Sequence, residues 1–147
     1  MGMYDSIEVS ASGLSAERLA MDTIANNIAN ANTTRTAEGG PFKRQLVVFA
    51  QKQDASSASV AVAGGDPSAS QAGVHVVGIV NDNSPDRLVY DPTHPDADAN
   101  GYVHMPNVDV VKEMVDMMAA SRAYEANVTA IQESRTMGNA DLNILKS

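Results

Sequence analysis

The stretch VVKEMVDMMAASRAYEANVTAIQESRTMGNADLNIL, residues 110 to 145, decides the fold. Val110, Met114, Met117, Ser121, Tyr124, Val128, Ile131, Arg135, Gly138, Leu142 and Leu145 follow one another at alternating steps of four and three, the spacing that aligns one face of an α-helix. This predicts a helix from Val108 to Leu145, with Asn107 as its cap and Asp109 in its first turn, where a carboxylate favours the positive end of the backbone dipole. Ser121, Arg135 and Gly138 interrupt the apolar run, so the face is not that of a plain two-stranded zipper.

The start of the chain carries a matching pattern. Ile7, Leu14, Met21 and Ile28 recur at every seventh position, with Ile24 and Ala31 filling alternate places. A helix from Asp5 to Ala31 is expected, with Asp5 and Glu8 in a capping-box arrangement and Gly39, Gly40 and Pro41 beyond its end. Ser12 and Gly13 inside it weaken the helix by about 1 kcal/mol relative to alanine, so either a neighbour packs closely there or the first turns are weak.

Between the helices the period changes. Phe42 to Ala50, Val74 to Val80 and Arg87 to Tyr90 are short strand-like runs bounded by Gly, Pro, Asn and Asp. The Ala, Ser and Gly-rich stretch from Asp54 to Gly73 reads as a mobile loop or a weakly held strand around Val60 to Val62. The expectation is a mainly α chain in which long N- and C-terminal helices pair as an antiparallel coiled coil around an inserted β-subdomain. Its segments are 1–33, 34–107 and 108–147.

Composition narrows the function. Of 147 residues 44% are hydrophobic but only 4% aromatic, with no tryptophan, which suits close-packed helices better than a sandwich. A net charge of −8 opposes generic binding to nucleic acid, and the sparse basic cluster of Arg35, Lys43, Arg44 and Lys52 reads as a solvated face. No cysteine is present, so disulfides, thiolate nucleophiles and cysteine zinc sites are excluded. No cleavable secretory signal and no ~20-residue apolar span are visible, leaving a cytoplasmic protein or one exported by a machine that reads another signal.

Asp96-Ala97-Asp98-Ala99-Asn100-Gly101 resembles the opening of a calcium loop, yet its twelfth position is Asn107 instead of the closing glutamate, so polar turn residues explain it better. His75, His94 and His104 have no ligand spacing, and no nucleophile elbow or phosphate loop occurs. No enzyme activity and no cofactor are expected. Asn26, Asn27 and Asn30 are more pointed, because asparagine is a poor helix former. They mark either a solvated, fraying face or an inter-subunit amide network.

Ser12-Gly13-Leu14, Ala25-Asn26-Asn27-Ile28-Ala29-Asn30 and Thr33 resemble the amino-terminal signature of bacterial flagellar axial proteins, those of rod and hook. Tyr90-Asp91-Pro92, His94-Pro95, the runs from Ala97 to Val103 and from Met105 to Val111, Glu113-Met114-Val115 and Ser121-Arg122-Ala123-Tyr124 resemble the proximal rod subunits of that family. The resemblance implies a structural subunit of the basal-body rod that polymerises through its terminal helices into a drive shaft transmitting torque and enclosing the export channel. It also implies export by the flagellar type III apparatus without signal cleavage, and assembly in the periplasm. The implied neighbours are copies of the chain, other rod subunits, the export-gate adaptor subunit at the rod base and the surrounding ring. The expected assembly residues are Ile7, Leu14, Met21, Ile24, Ile28, Val110, Met114, Met117, Tyr124, Val128, Ile131, Leu142 and Leu145, with Asn26, Asn27 and Asn30 as the signature amides. A calcium-binding module and a cytoplasmic coiled-coil adaptor are the competing readings.

Overall fold

The computed structural model describes residues 3–52 and 73–144. Residues 53–72, on which the expected loop or weak strand falls, and Leu145 lie outside them. Two helices bracket four short strands in the order α1 (Met3–Ala29), β1 (Gln45–Gln51), β2 (Val74–Asn81), β3 (Arg87–Tyr90), β4 (Tyr102–Met105) and α2 (Val110–Ile144). The chain is therefore mainly helical with a small β region. β1 pairs with β2, and β3 pairs antiparallel with β4 in a register that places Tyr90 opposite Tyr102 and Val89 opposite Val103.

The helix ends depart from the sequence reading for local reasons. α1 already runs through Asp5 from Met3, so Asp5 does not cap it. It closes two residues before Ala31, where the Ala31 N–H turns back to Ile28 O in a tightened i→i+3 bond and Asn30 Nδ2 bonds Asn26 O. At α2 the cap is Asp109, whose Oδ1 accepts from the N–H groups of Val111 at 2.9 Å and Lys112 at 3.4 Å. Asn107 is engaged elsewhere. Its Oδ1 accepts from Arg44 N–H, and its Nδ2 donates to the carbonyls of Asp82 and Ser84. Strand β4 escaped the sequence reading because only four residues alternate there, with Val103 the one fully buried side chain.

The Asp96 to Gly101 segment is the connection between β3 and β4. Asp98 Oδ1 accepts from the N–H groups of Asn100 and Tyr102, and Asp96 Oδ2 accepts from the Thr34 hydroxyl. Gly101 adopts a φ of 80°, a left-handed conformation that a side chain resists. Asp98 thus holds the turn itself, while Asp96 ties it to Thr34.

Two compact units divide the chain. Unit 1 comprises Met1–Arg18, Phe49–Val77 and Ser121–Ser147, and unit 2 comprises Leu19–Val48 and Gly78–Ala120. The described core of unit 1 is made of small groups, with Ala16, Ser134 and Gly138 buried. Unit 2 buries Ala20, Ala31, Val103, Val108 and Ala120, together with the polar Thr23, Asn27 and Glu113.

Candidate assembly site

The chemistry of unit 2 concentrates on the dipeptide Arg44-Gln45, where the chain enters β1. Arg44 N–H donates to Asn107 Oδ1 at 2.9 Å, and Arg44 O accepts from Asp82 N–H at 2.7 Å. Gln45 N–H donates to Asn27 Oδ1 at 2.9 Å, while Asn27 Nδ2 returns a bond to Gln45 O at 2.8 Å. Two asparagine side chains thus act as strand partners for a backbone that would otherwise be buried unpaired.

A buried ion pair completes this hub. Glu113, on the inner side of α2, is 0% exposed, and both its oxygens are used: Oε1 accepts from Arg44 Nε at 2.6 Å and Oε2 from Asn27 Nδ2 at 2.9 Å. Arg44 Nη2 reaches Asp116 Oδ2 at 3.2 Å. The Arg44 side chain is only 12% exposed, so it is not part of a solvated basic face. Charge-assisted bonds of this length are strong, but much of their energy offsets the desolvation of two ions.

Asn27 is therefore an intramolecular tether, neither solvated nor facing another subunit. Asn26 and Asn30 sit nearer the surface: Asn26 Nδ2 reaches Gln45 Oε1, and Asn30 Nδ2 bonds Asn26 Oδ1. Composition offered no route to Glu113 and Arg44, which lie 69 residues apart. The one available signal was an asparagine in a helix interior, since such a residue needs partners.

In unit 1 the helices meet through small groups. The hydroxyls of Ser6 and Ser134 are 3.4 Å apart. A Cβ on Gly13 would fall 2.9 Å from Asn127 Nδ2, so the glycine is there to admit that side chain. The neighbour expected at Ser12 and Gly13 is present, for Ser12 Oγ also accepts from Val74 N–H at 3.0 Å. Lys52 and Glu8 form an exposed ion pair at 2.9 Å.

The expected assembly residues divide by exposure. Ile7, Leu14, Met21, Ile24 and Ile28 on α1 are half-buried, as are Met117, Tyr124, Val128 and Ile131 on α2. Val110 and Met114 are exposed, and with Val111, Val115 and Met118 they form one apolar stripe on the opening turns of α2, 40 to 71% exposed. Leu142 lies in the last described turn of α2. Val110 and Val111 also line an open cleft of about 500 Å³ with Ala31, Arg87, Pro106 and Val108. At 3.6 residues per turn, Val111 and Val115 sit on the far side of the helix from Glu113. The same turns thus carry a charged, fully bonded inner side and a bare apolar outer one.

Three carboxyls elsewhere are held below the usual aspartate range by local bonds. The hydroxyl and N–H of Ser84 lower Asp82, those of Thr93 lower Asp91, and the N–H groups of Tyr102 and Asn100 lower Asp98. Each accepts from residues just ahead of it in sequence, the pattern of turn-forming aspartate.

Two families match the chain: "Flagella basal body rod protein" over residues 7–35 and "Flagellar basal body rod FlgEFG protein C-terminal" over residues 99–144. The flagellar basal-body rod protein FlgC of Borreliella burgdorferi is 46% identical across 99% of each chain. FlgC of Bacillus subtilis is 43% identical over 93% of this chain and 94% of its own. FlgC of Salmonella typhimurium is 37% identical over 93% of each. The matched segments include Asn27 in the first family and Glu113 in the second.

Proposed function

The chain belongs to the FlgC family of flagellar basal-body rod proteins, and from that premise we propose that it polymerises through its terminal helices, with the outer stripe of α2 as a principal contact. As a member it is a structural subunit of the rod and not an enzyme. In this reading it joins copies of itself and other rod subunits into a shaft that transmits torque and encloses the export channel. It reaches the periplasm through the flagellar export apparatus without a cleaved signal, and its rod-base neighbours include the export-gate adaptor, with the ring around it.

The observation that carries this reading is the asymmetry of α2. A surface helix normally turns its apolar stripe to the core. Here the core side holds Glu113 while Val110, Val111, Met114, Val115 and Met118 face outward, a contiguous apolar surface of the kind that marks an interaction site. Among the described residues no helix is long and apolar enough to cross a membrane, so lipid burial of the stripe by a spanning helix is not the explanation. A contact between unlike faces of successive copies generates an open helical array, the geometry a rod requires.

We further read α1 and α2 as an antiparallel pair. In unit 1, moving from Gly13 and Asn127 to Ser6 and Ser134 steps seven residues back along α1 and seven forward along α2, which supports an antiparallel heptad register. On this reading segments 1–33 and 108–147, including Ile7, Leu14, Met21, Tyr124 and Ile131, build the axial part, and 34–107 forms the β-rich part outside it.

The test is a Val111→Glu, Met118→Glu variant in cells lacking the native copy. Both positions are exposed, so the circular dichroism of the purified chain should be unchanged while rods and swimming are lost. Normal rods from that variant would contradict the reading.

A further inference from the structure

We infer that Arg44, Glu113 and Asn27 are positioning residues for assembly: they fix the rotation and axial placement of the opening turns of α2, and with them the outer stripe. The inference rests on the assembly reading above, which identifies the stripe as the contact.

None of the three can serve as the contact itself. Glu113 and Asn27 are fully buried and Arg44 nearly so. Nor is stability a sufficient reason for the network. A buried ion pair is commonly no better than a well-packed apolar pair of similar volume, because desolvation of both ions consumes the Coulomb gain. What it adds is direction. Apolar contact varies little when a helix turns slightly about its axis, whereas bonds of 2.6, 2.9 and 3.2 Å from three donors tolerate little displacement.

The bonds converge where direction matters. Glu113 lies between Val111, Met114 and Val115 in sequence and on the opposite side of the helix from Val111 and Val115, so any rotation at Glu113 swings the stripe by the same angle. The other ends of the network are fixed too. Asn27 belongs to α1 and is bonded at both the N–H and C=O of Gln45, and the backbone of Arg44 is held by Asn107 and Asp82. The guanidinium is suited to the task because its rigid fork reaches Glu113 and Asp116 together, which a lysine ammonium on a flexible stem does not reproduce.

The experiment replaces the ion pair by an apolar one, Arg44→Met with Glu113→Leu, in the full-length chain, and measures both the thermal midpoint of the purified subunit and its incorporation into rods. The expected result is a midpoint equal to or above the native one with incorporation reduced at least tenfold. Native-level incorporation, or a loss no greater than the loss of stability explains, would make the hub a structural element only and overturn the inference. If that pair does not fold, Arg44→Lys keeps a charge beside Glu113 without the fork. It should fold and incorporate several-fold less well, and normal incorporation would overturn the inference equally. The Val111→Glu, Met118→Glu variant separates the two proposals. Normal rods there refute the assembly reading itself, whereas lost rods there with normal rods from Arg44→Met, Glu113→Leu refute only the positioning role.

Discussion

The two helices are held by different chemistry in the two units. In unit 2, α1 and α2 meet at Asn27 and Glu113 in a buried network with Arg44, and apolar residues including Val103, Pro106 and Val108 are buried as well. In unit 1 the same helices meet at Ser6 with Ser134 and at Gly13 with Asn127, and Ala16 is the one apolar side chain fully buried among the described residues. One unit obtains specificity from directed bonds, the other from close approach of small groups. The difference predicts unequal self-sufficiency, since ordering each residue costs about 1 to 2 kcal/mol of backbone entropy and small groups return little by burial.

The largest effect should follow from breaking the hub on one side. Arg44→Ala leaves the Glu113 carboxylate buried without its cation, a change that costs roughly 3 to 5 kcal/mol. Urea denaturation should register that loss, and a cost below about 1 kcal/mol would mean that solvent reaches Glu113. Gly13→Val tests the other unit. Its added carbons would meet Asn127 at the 2.9 Å already reached by a Cβ, and overpacking of this kind costs about 1 to 3 kcal/mol. A neutral outcome would show that Asn127 moves aside freely.

Much of this architecture was legible in the sequence. Heptad spacing located both ends of α1 and the start of α2 to within two residues, because periodicity survives uncertainty about any one side chain. Which side faces inward was not legible. The seam of Ile7, Leu14, Met21 and Ile28 is half-buried, whereas the buried positions beside it are Ala16, Ala20, Thr23, Asn27 and Ala31. A reading weighted to large apolar residues misses a face chosen for smallness. The hub escaped for a different reason: Arg44 and Glu113 are ordinary surface residue types, and only their meeting across 69 residues gives them a buried role.

The smallest expected effect concerns the turn between β3 and β4. The pKa values of Asp91 and Asp98 are lowered in the folded chain by bonds from Thr93, Tyr102 and Asn100. The stabilisation is therefore complete at neutral pH, above the unfolded value, and is lost as pH falls through the lower folded value. The resonances of Asn100, Gly101 and Tyr102 should titrate in acid below the usual aspartate range. Midpoints at or above the ordinary aspartate value would contradict the bonding at the turn.

Amide hydrogen exchange on the full-length subunit, verified as monomeric, tests the contrast between the units most directly. The account predicts slow exchange in the unit 2 parts of both helices, residues 19–29 and 110–120, where the hub and the larger core hold them. It predicts fast exchange in the unit 1 parts, residues 3–18 and 121–144, which become protected only in assembled rods. Equal protection of all four segments in the monomer, or faster exchange around Asn27 and Glu113 than around Ser6 and Ser134, would contradict it.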